Sequence, residues 1–164
     1  MYQIHDIIFY GSAGVCEIDA IEKEPFEGAP EGVLYYVMHT LNEPRQTIFN
    51  PVTNDKVFSR HLMTKQEADA FLASAHELSL LSAPSSKLLR EEYALAMKAY
   101  TPEAWVRVIK TFLTRQESAP RVADAERNFC ETAKRHLFTE LSVVFSETMK
   151  EAEARVFEAM CLSR

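Results

Sequence analysis

Ile7-Ile8-Phe9-Tyr10-Gly11-Ser12-Ala13-Gly14-Val15-Cys16-Glu17-Ile18-Asp19-Ala20-Ile21 decides the fold class of this chain. A four-residue apolar run, a turn bracketed by two glycines and a second β-prone run form a strand–turn–strand unit. In the second run, alternation predicts Val15, Glu17, Asp19 and Ile21 on one face and Cys16, Ile18 and Ala20 on the other. Working outward, the turn-rich loop 25–32 leads to a strand at Val33-Leu34-Tyr35-Tyr36-Val37-Met38. Another strand follows at Gln46-Thr47-Ile48-Phe49, stopped by Asn50-Pro51, and a short last one at Lys56-Val57-Phe58. Five short strands separated by turn signals fit a compact barrel or curled sheet. All four glycines (Gly11, Gly14, Gly28, Gly32) lie in this front part, where tight turns with positive φ are needed.

Beyond residue 62 the pattern changes. Thr64-Lys65-Gln66-Glu67 is a capping box, followed by Ala68, Phe71, Leu72 and Ala75 on one helical face. A second helix after Ala83-Pro84 carries Leu89, Tyr93, Ala96, Met97 and Tyr100. Thr101-Pro102 opens a third, with Trp105, Ile109, Phe112 and Leu113. A fourth starts after Pro120 with Val122, Ala125, Phe129, Ala133, Leu137, Leu141 and Val144, and a fifth from Ser146 with Met149, Ala152, Val156 and Met160. The expected class is α+β in two small domains: a five-stranded β module at 1–62 and an all-α bundle of about five helices at 63–164.

With 164 residues, 47% of them hydrophobic, the chain has enough apolar side chains for such cores and is not a disordered polymer. No apolar run approaches the length of a membrane span, and no leader-like start is present. Three widely spaced cysteines (Cys16, Cys130, Cys161) without a CxxC pair read as reduced thiols of a cytoplasmic protein. The net charge of −6 argues against a protein that coats nucleic acid by charge alone. Its distribution is uneven: 4 Lys/Arg against 9 Asp/Glu over 1–62, and 10 against 7 over 87–135.

Chemistry-bearing motifs are sparse. There is no phosphate loop, no GxSxG elbow and no HExxH pair. His5, Cys16 and His39 are the one set that strands can gather around a metal, set against two strand-end histidines and a core thiol. Glu91-Glu92 and the Glu151/Glu153 pair read as solvated helix faces rather than acid/base pairs. Trp105 reads as a core anchor. The segment Arg45-Gln46-Thr47-Ile48-Phe49 alternates polar and apolar side chains ahead of Pro51, which makes it a candidate sheet edge able to accept a partner strand. No catalytic residue, metal or cofactor is expected.

Taken in order, these features resemble the CarD/CdnL/TRCF family of transcriptional regulators. The likeness is carried by Ile4-His5-Asp6-Ile7-Ile8-Phe9-Tyr10 and then Gly14-Val15-Cys16-Glu17-Ile18-Asp19-Ala20-Ile21-Glu22. Leu34-Tyr35-Tyr36-Val37, Phe49-Asn50-Pro51, Lys56-Val57-Phe58-Ser59-Arg60 and the basic Ala133-Lys134-Arg135 stretch complete it. It implies a Tudor/SH3-like module that docks on the β subunit of bacterial RNA polymerase through a sheet edge. It further implies a helical domain that contacts promoter DNA weakly and without sequence specificity, modulating the open complex. The polymerase-facing positions would be Lys23, Glu24, Arg45, Gln46, Thr47, Ile48 and Phe49, and the DNA-facing ones Lys87, Arg90, Arg127 and Lys134. Three departures stand out. His5 occupies a usual glycine position, Gly11-Ser12-Ala13 replaces a Pro-x-His, and Ser85-Ser86 stands where many members carry a minor-groove tryptophan. The alternative is an adaptor of the same fold that binds polymerase or another partner without touching DNA.

Overall fold

The fold is described from a computed structural model, over residues 1–119 and 121–160. Pro120, expected ahead of the fourth helix, and Cys161, expected as a third reduced thiol, lie outside the described residues. The described residues are α+β, with one five-stranded antiparallel sheet and five α-helices. The chain divides into two compact units, Met1–Leu62 and Met63–Arg164. Among the described residues no helix is long and apolar enough to cross a membrane.

In the first unit the strands are β1 (Ile7–Tyr10), β2 (Gly14–Lys23), β3 (Leu34–Thr40), β4 (Thr47–Pro51) and β5 (Ser59–His61). They run in the order β4-β3-β2-β1-β5, every pair antiparallel. Ile8, Cys16, Ile18, Tyr36 and Met38 form the buried cluster, with Tyr2, Tyr10, Ile21, Ile48 and Val52 packed against it. The turn between β1 and β2 depends on Gly11, at φ +43. A Cβ there would lie 2.8 Å from Val57 Cγ1, so both the dihedral and the space select glycine.

Three expectations for this unit are corrected. Strict alternation along β2 fails at Asp19, where the register against β3 shifts between Ile18 and Ala20. The bulge inserts one residue and rephases the strand, so Ile21 joins Cys16 and Ile18 on the core side. β4 does not stop before Asn50-Pro51 but includes both. The last strand is Ser59–His61 rather than 56–58. It pairs with β1 through Ile8–His61, Phe9–Arg60 and Tyr10–Ser59. Val57 and Phe58 have β-prone side chains but precede the strand, Phe58 offering its carbonyl to the Gly11 N–H at 2.8 Å.

The second unit contains α1 (Lys65–Ser74), α2 (Ser86–Ala99), α3 (Pro102–Ser118), α4 (Asp124–Val144) and α5 (Met149–Met160). The caps follow the sequence. Thr64 Oγ1 accepts the Glu67 N–H at 3.1 Å, and Glu67 Oε2 accepts the Thr64 N–H at 2.9 Å. Thr101 caps α3 with Pro102 in the first turn. Ser85 Oγ accepts the Leu88 N–H at 3.2 Å and caps α2. The fifth helix begins at Met149 rather than Ser146, which takes a left-handed turn conformation at φ +51. Thr148 Oγ1 then accepts the Glu151 N–H. Trp105, fully buried with Ile109, Phe112, Leu137 and Leu141, is the core anchor expected of it.

Candidate functional site

The two candidate surfaces are the free edge of the sheet and the basic faces of α2 and α4. Among the described residues β4 pairs only with β3, so its other side is one of the sheet's two ends, β5 forming the other. Val52 donates its N–H to the Leu34 carbonyl at 2.9 Å, one step beyond the opposed pair Tyr35–Pro51. In an antiparallel ladder alternate residues bond their opposites. Ile48, Asn50 and Val52 therefore turn their backbone groups to β3, while Thr47, Phe49 and Pro51 turn theirs outward. This explains why a proline is accepted within β4: its missing N–H is on the side that has no ladder to complete.

Side chains alternate in step. Ile48 packs against the core. Phe49 sits on the opposite face, 39% exposed, with its ring 5.1 Å from that of Phe26. Phe26 is equally exposed and stands edge-on to Tyr35 at 5.4 Å. Loop 25–32 thus folds an aromatic side chain over the edge strand, leaving the exposed Phe26 and Phe49 rings above the buried Tyr35 and beside outward backbone groups, the features of a sheet edge that can accept a strand. Sequence reasoning missed Phe26. The available signal was an aromatic inside a loop otherwise made of Glu, Gly, Ala and Pro.

The remaining edge positions separate. Lys23 closes β2 opposite Leu34, itself beside Val52, and is exposed. Glu24 follows at φ +52, and its Oε1 accepts the Gly32 N–H at 3.0 Å, pinning the loop. Arg45 and Gln46 are exposed in the turn before β4. Lys23 and Glu24 therefore belong to one end of β4 and Arg45 and Gln46 to the other, separated by the strand's length of roughly 17 Å.

His5 and His39 both approach Glu17, the His39 Nε2 at 3.9 Å, but Cys16 does not join them. Cys16 Sγ points into the core and donates to the Gly14 carbonyl at 3.6 Å. His39 Nδ1 lies 2.8 Å from Asp19 on the outer face, and His5 Nδ1 lies 3.5 Å from Glu17. Among the described residues no group of three could hold a metal ion. His5 takes φ +73, a backbone region that glycine enters most readily. Burial pushes the Cys16 thiol up to about 12 and the Cys130 thiol up to about 11, which keeps both in the less reactive thiol form near neutral pH. Glu91, Glu92, Glu151 and Glu153 are exposed helix-surface residues.

On the helical unit, Lys87 and Arg90 are exposed in the first two turns of α2. Arg127 is exposed in the first turn of α4, its guanidinium 5.5 Å above the Phe112 ring. Lys134 is seven residues further along α4, about 10 Å by helical rise, and is 3.5 Å from Glu131 with its side chain only 22% exposed. α2 and α4 are joined by the stacked rings of Tyr93 and Phe129, 5.7 Å apart, and by the Tyr93 hydroxyl donating to Glu126 at 3.3 Å. Arg90, one turn before Tyr93, and Arg127, next to Glu126, flank that contact. Beside it, Gln116, Arg121, Asp124 and Arg127 line an open recess of about 560 Å³.

Several cations of this stretch have other tasks. Arg115 grips the buried Glu126 with two bonds of 2.7 and 3.1 Å. Arg107 donates to the Ser79 carbonyl at 3.0 Å, and Lys110 to those of His76 and Leu78 at 3.2 and 2.7 Å. The excess of basic residues over 87–135 is therefore partly consumed in holding the α1–α2 connection and the bundle core. Neither a family model nor a curated protein matches this chain.

Proposed function

We propose that the chain is a non-catalytic bacterial transcription regulator whose Tudor/SH3-like module docks on the RNA polymerase β subunit along β4. Its helical unit contacts promoter DNA through Lys87, Arg90, Arg127 and Lys134 and so modulates open-complex stability. The observation that carries the reading is the open β4 edge, with outward backbone groups at Thr47 and Phe49 and the exposed Phe49 ring beside them. The glycine-like backbone at His5, the family's glycine position, supports the same reading. Docking raises the effective concentration of the helical unit at the promoter, so a chain with a net charge of −6 needs only weak phosphate contacts.

A second reading is favoured by the cations already engaged in the bundle. In it the chain is a polymerase-bound adaptor without DNA contact. Ser85, at the position of the family's tryptophan, is a helix cap and offers no wedge. Calorimetric titration of the full chain against the isolated β-subunit lobe tests the shared part. Saturable binding, weakened at least about tenfold by Phe49→Arg, is expected, and no binding by the folded chain overturns both readings. Lys87→Glu with Arg90→Glu then separates them. A lost effect on promoter opening supports DNA contact, and an unchanged effect supports the adaptor.

A further inference from the structure

We propose that the strand β4 accepts is basic, an extended segment in which lysine or arginine alternates with an apolar residue. This rests on β4 being the docking edge and adds the chemistry of its occupant. The window is short. Pro51 has no N–H, and its carbonyl already accepts the Asn54 N–H at 2.9 Å. At the other end the chain turns, with Gln46 N–H donating to Glu43 at 3.0 Å. Thr47 and Phe49 are left as the two residues whose outward groups an added strand can bond.

Pairing dictates where the added side chains go. Residues opposite Thr47 and Phe49 share the outer face, and the one between them lies beside Ile48 at the rim of the core. The apolar member of the repeat belongs at the middle position. The outer face is aromatic and acidic: Phe49 and Phe26 stand over Tyr35, and Glu22 lies opposite Tyr35, while the exposed Lys23 and Arg45 mark the two ends of the edge rather than its middle. The loop that carries Phe26 adds Glu27 and Glu31, both exposed. Ring faces next to carboxylates attract a cation on an apolar stem, and an acidic strand meets like charge. A second copy of this chain is disfavoured for the same reason, since it would oppose two modules carrying 9 acidic and 4 basic residues each.

The test uses the full chain, isotope-labelled, titrated with two synthetic extended peptides that differ only in Lys-Val-Lys against Glu-Val-Glu at their centres. The basic peptide is expected to shift the Thr47 and Phe49 amides. Its affinity should fall at least about fivefold with Glu27→Lys and Glu31→Lys together, and by a similar factor at high salt. Equal or tighter binding of the acidic peptide, indifference to the charge reversals, shifts remote from β4, or dimerisation through β4 overturns the proposal. Titrating the polymerase lobe in parallel keeps the two claims apart. Lobe binding that ignores the charge reversals overturns the basic occupant and leaves the docking edge standing. Binding of the basic peptide at β4 without lobe binding does the reverse. Binding of neither overturns both.

Discussion

Replacing Arg115 by methionine removes the partner of a carboxylate that has nowhere else to go. Glu126 is 2% exposed and is held by Arg115 through Nε and Nη2 and by the Tyr93 hydroxyl. Its bond to Glu126 also raises the Arg115 pKa above its already high ordinary value, so the guanidinium stays charged at every working pH. Breaking a fully buried pair costs about 3–5 kcal/mol. The Arg115 side chain is 35% exposed, so water already screens part of the attraction, and about 2–3 kcal/mol is the appropriate expectation. For a unit of this size that corresponds to a fall in Tm of roughly 10–20 °C. Trp105, the only tryptophan and fully buried in the same bundle, reports the unfolding by fluorescence, with helical circular dichroism as the second probe. Adding Glu126→Leu to Arg115→Met should recover part of the loss, because no orphaned charge then remains. A fall of less than about 3 °C for Arg115→Met, or strict additivity in the double variant, would refute the reasoning. The same lock holds α2 to α4, so the DNA contact proposed for Arg90 and Arg127 should weaken in the single variant.

Two further outcomes are expected. His136 is buried, and burial together with Arg135 lowers its pKa from 6.5 to about 4. The unfolded chain therefore takes up a proton that the folded one refuses between those values, and stability falls as pH drops through that window. About 2 kcal/mol should be lost between pH 7 and 5. His136→Phe should flatten this limb in urea melts, and equal losses in parent and variant would sink the account. Glu147, whose carboxyl the Arg155 guanidinium holds below its ordinary 4.5, adds a further loss only as pH falls through and below that ordinary value. In a Cys161→Ser chain, the raised pKa values of Cys16 and Cys130 should slow thiol modification in the folded state at least about a hundredfold relative to concentrated guanidinium. A fast-reacting thiol in the native chain would contradict the packing.

What was legible in the sequence was whatever depends on near neighbours in the chain. The capping box at Thr64 and Glu67, the Thr101-Pro102 start and the spacing of Trp105, Ile109 and Phe112 place helices because caps and helical faces are local. The glycine-bracketed turn between β1 and β2 is local too. Tertiary structure decided the rest. The bulge at Asp19 exists because β2 must keep Cys16, Ile18 and Ile21 against Tyr36 and Met38, and alternation along one strand carries no record of its partner. Ser59–His61 became β5 rather than 56–58 because β1 offered its free side there. Pro51 entered β4 because, among the described residues, no strand pairs with the outer side of β4, a fact about sheet order. Phe26 reached Phe49 only through the path of a loop, and Arg107, Lys110 and Arg115 were committed to carbonyls and a carboxylate about 10 to 35 positions away. Sequence determined the helices and the first four strands, since hydrogen bonding and side-chain periodicity act over a few residues. Only packing decided which edge is open and which charges are free, because both depend on what distant segments leave uncovered.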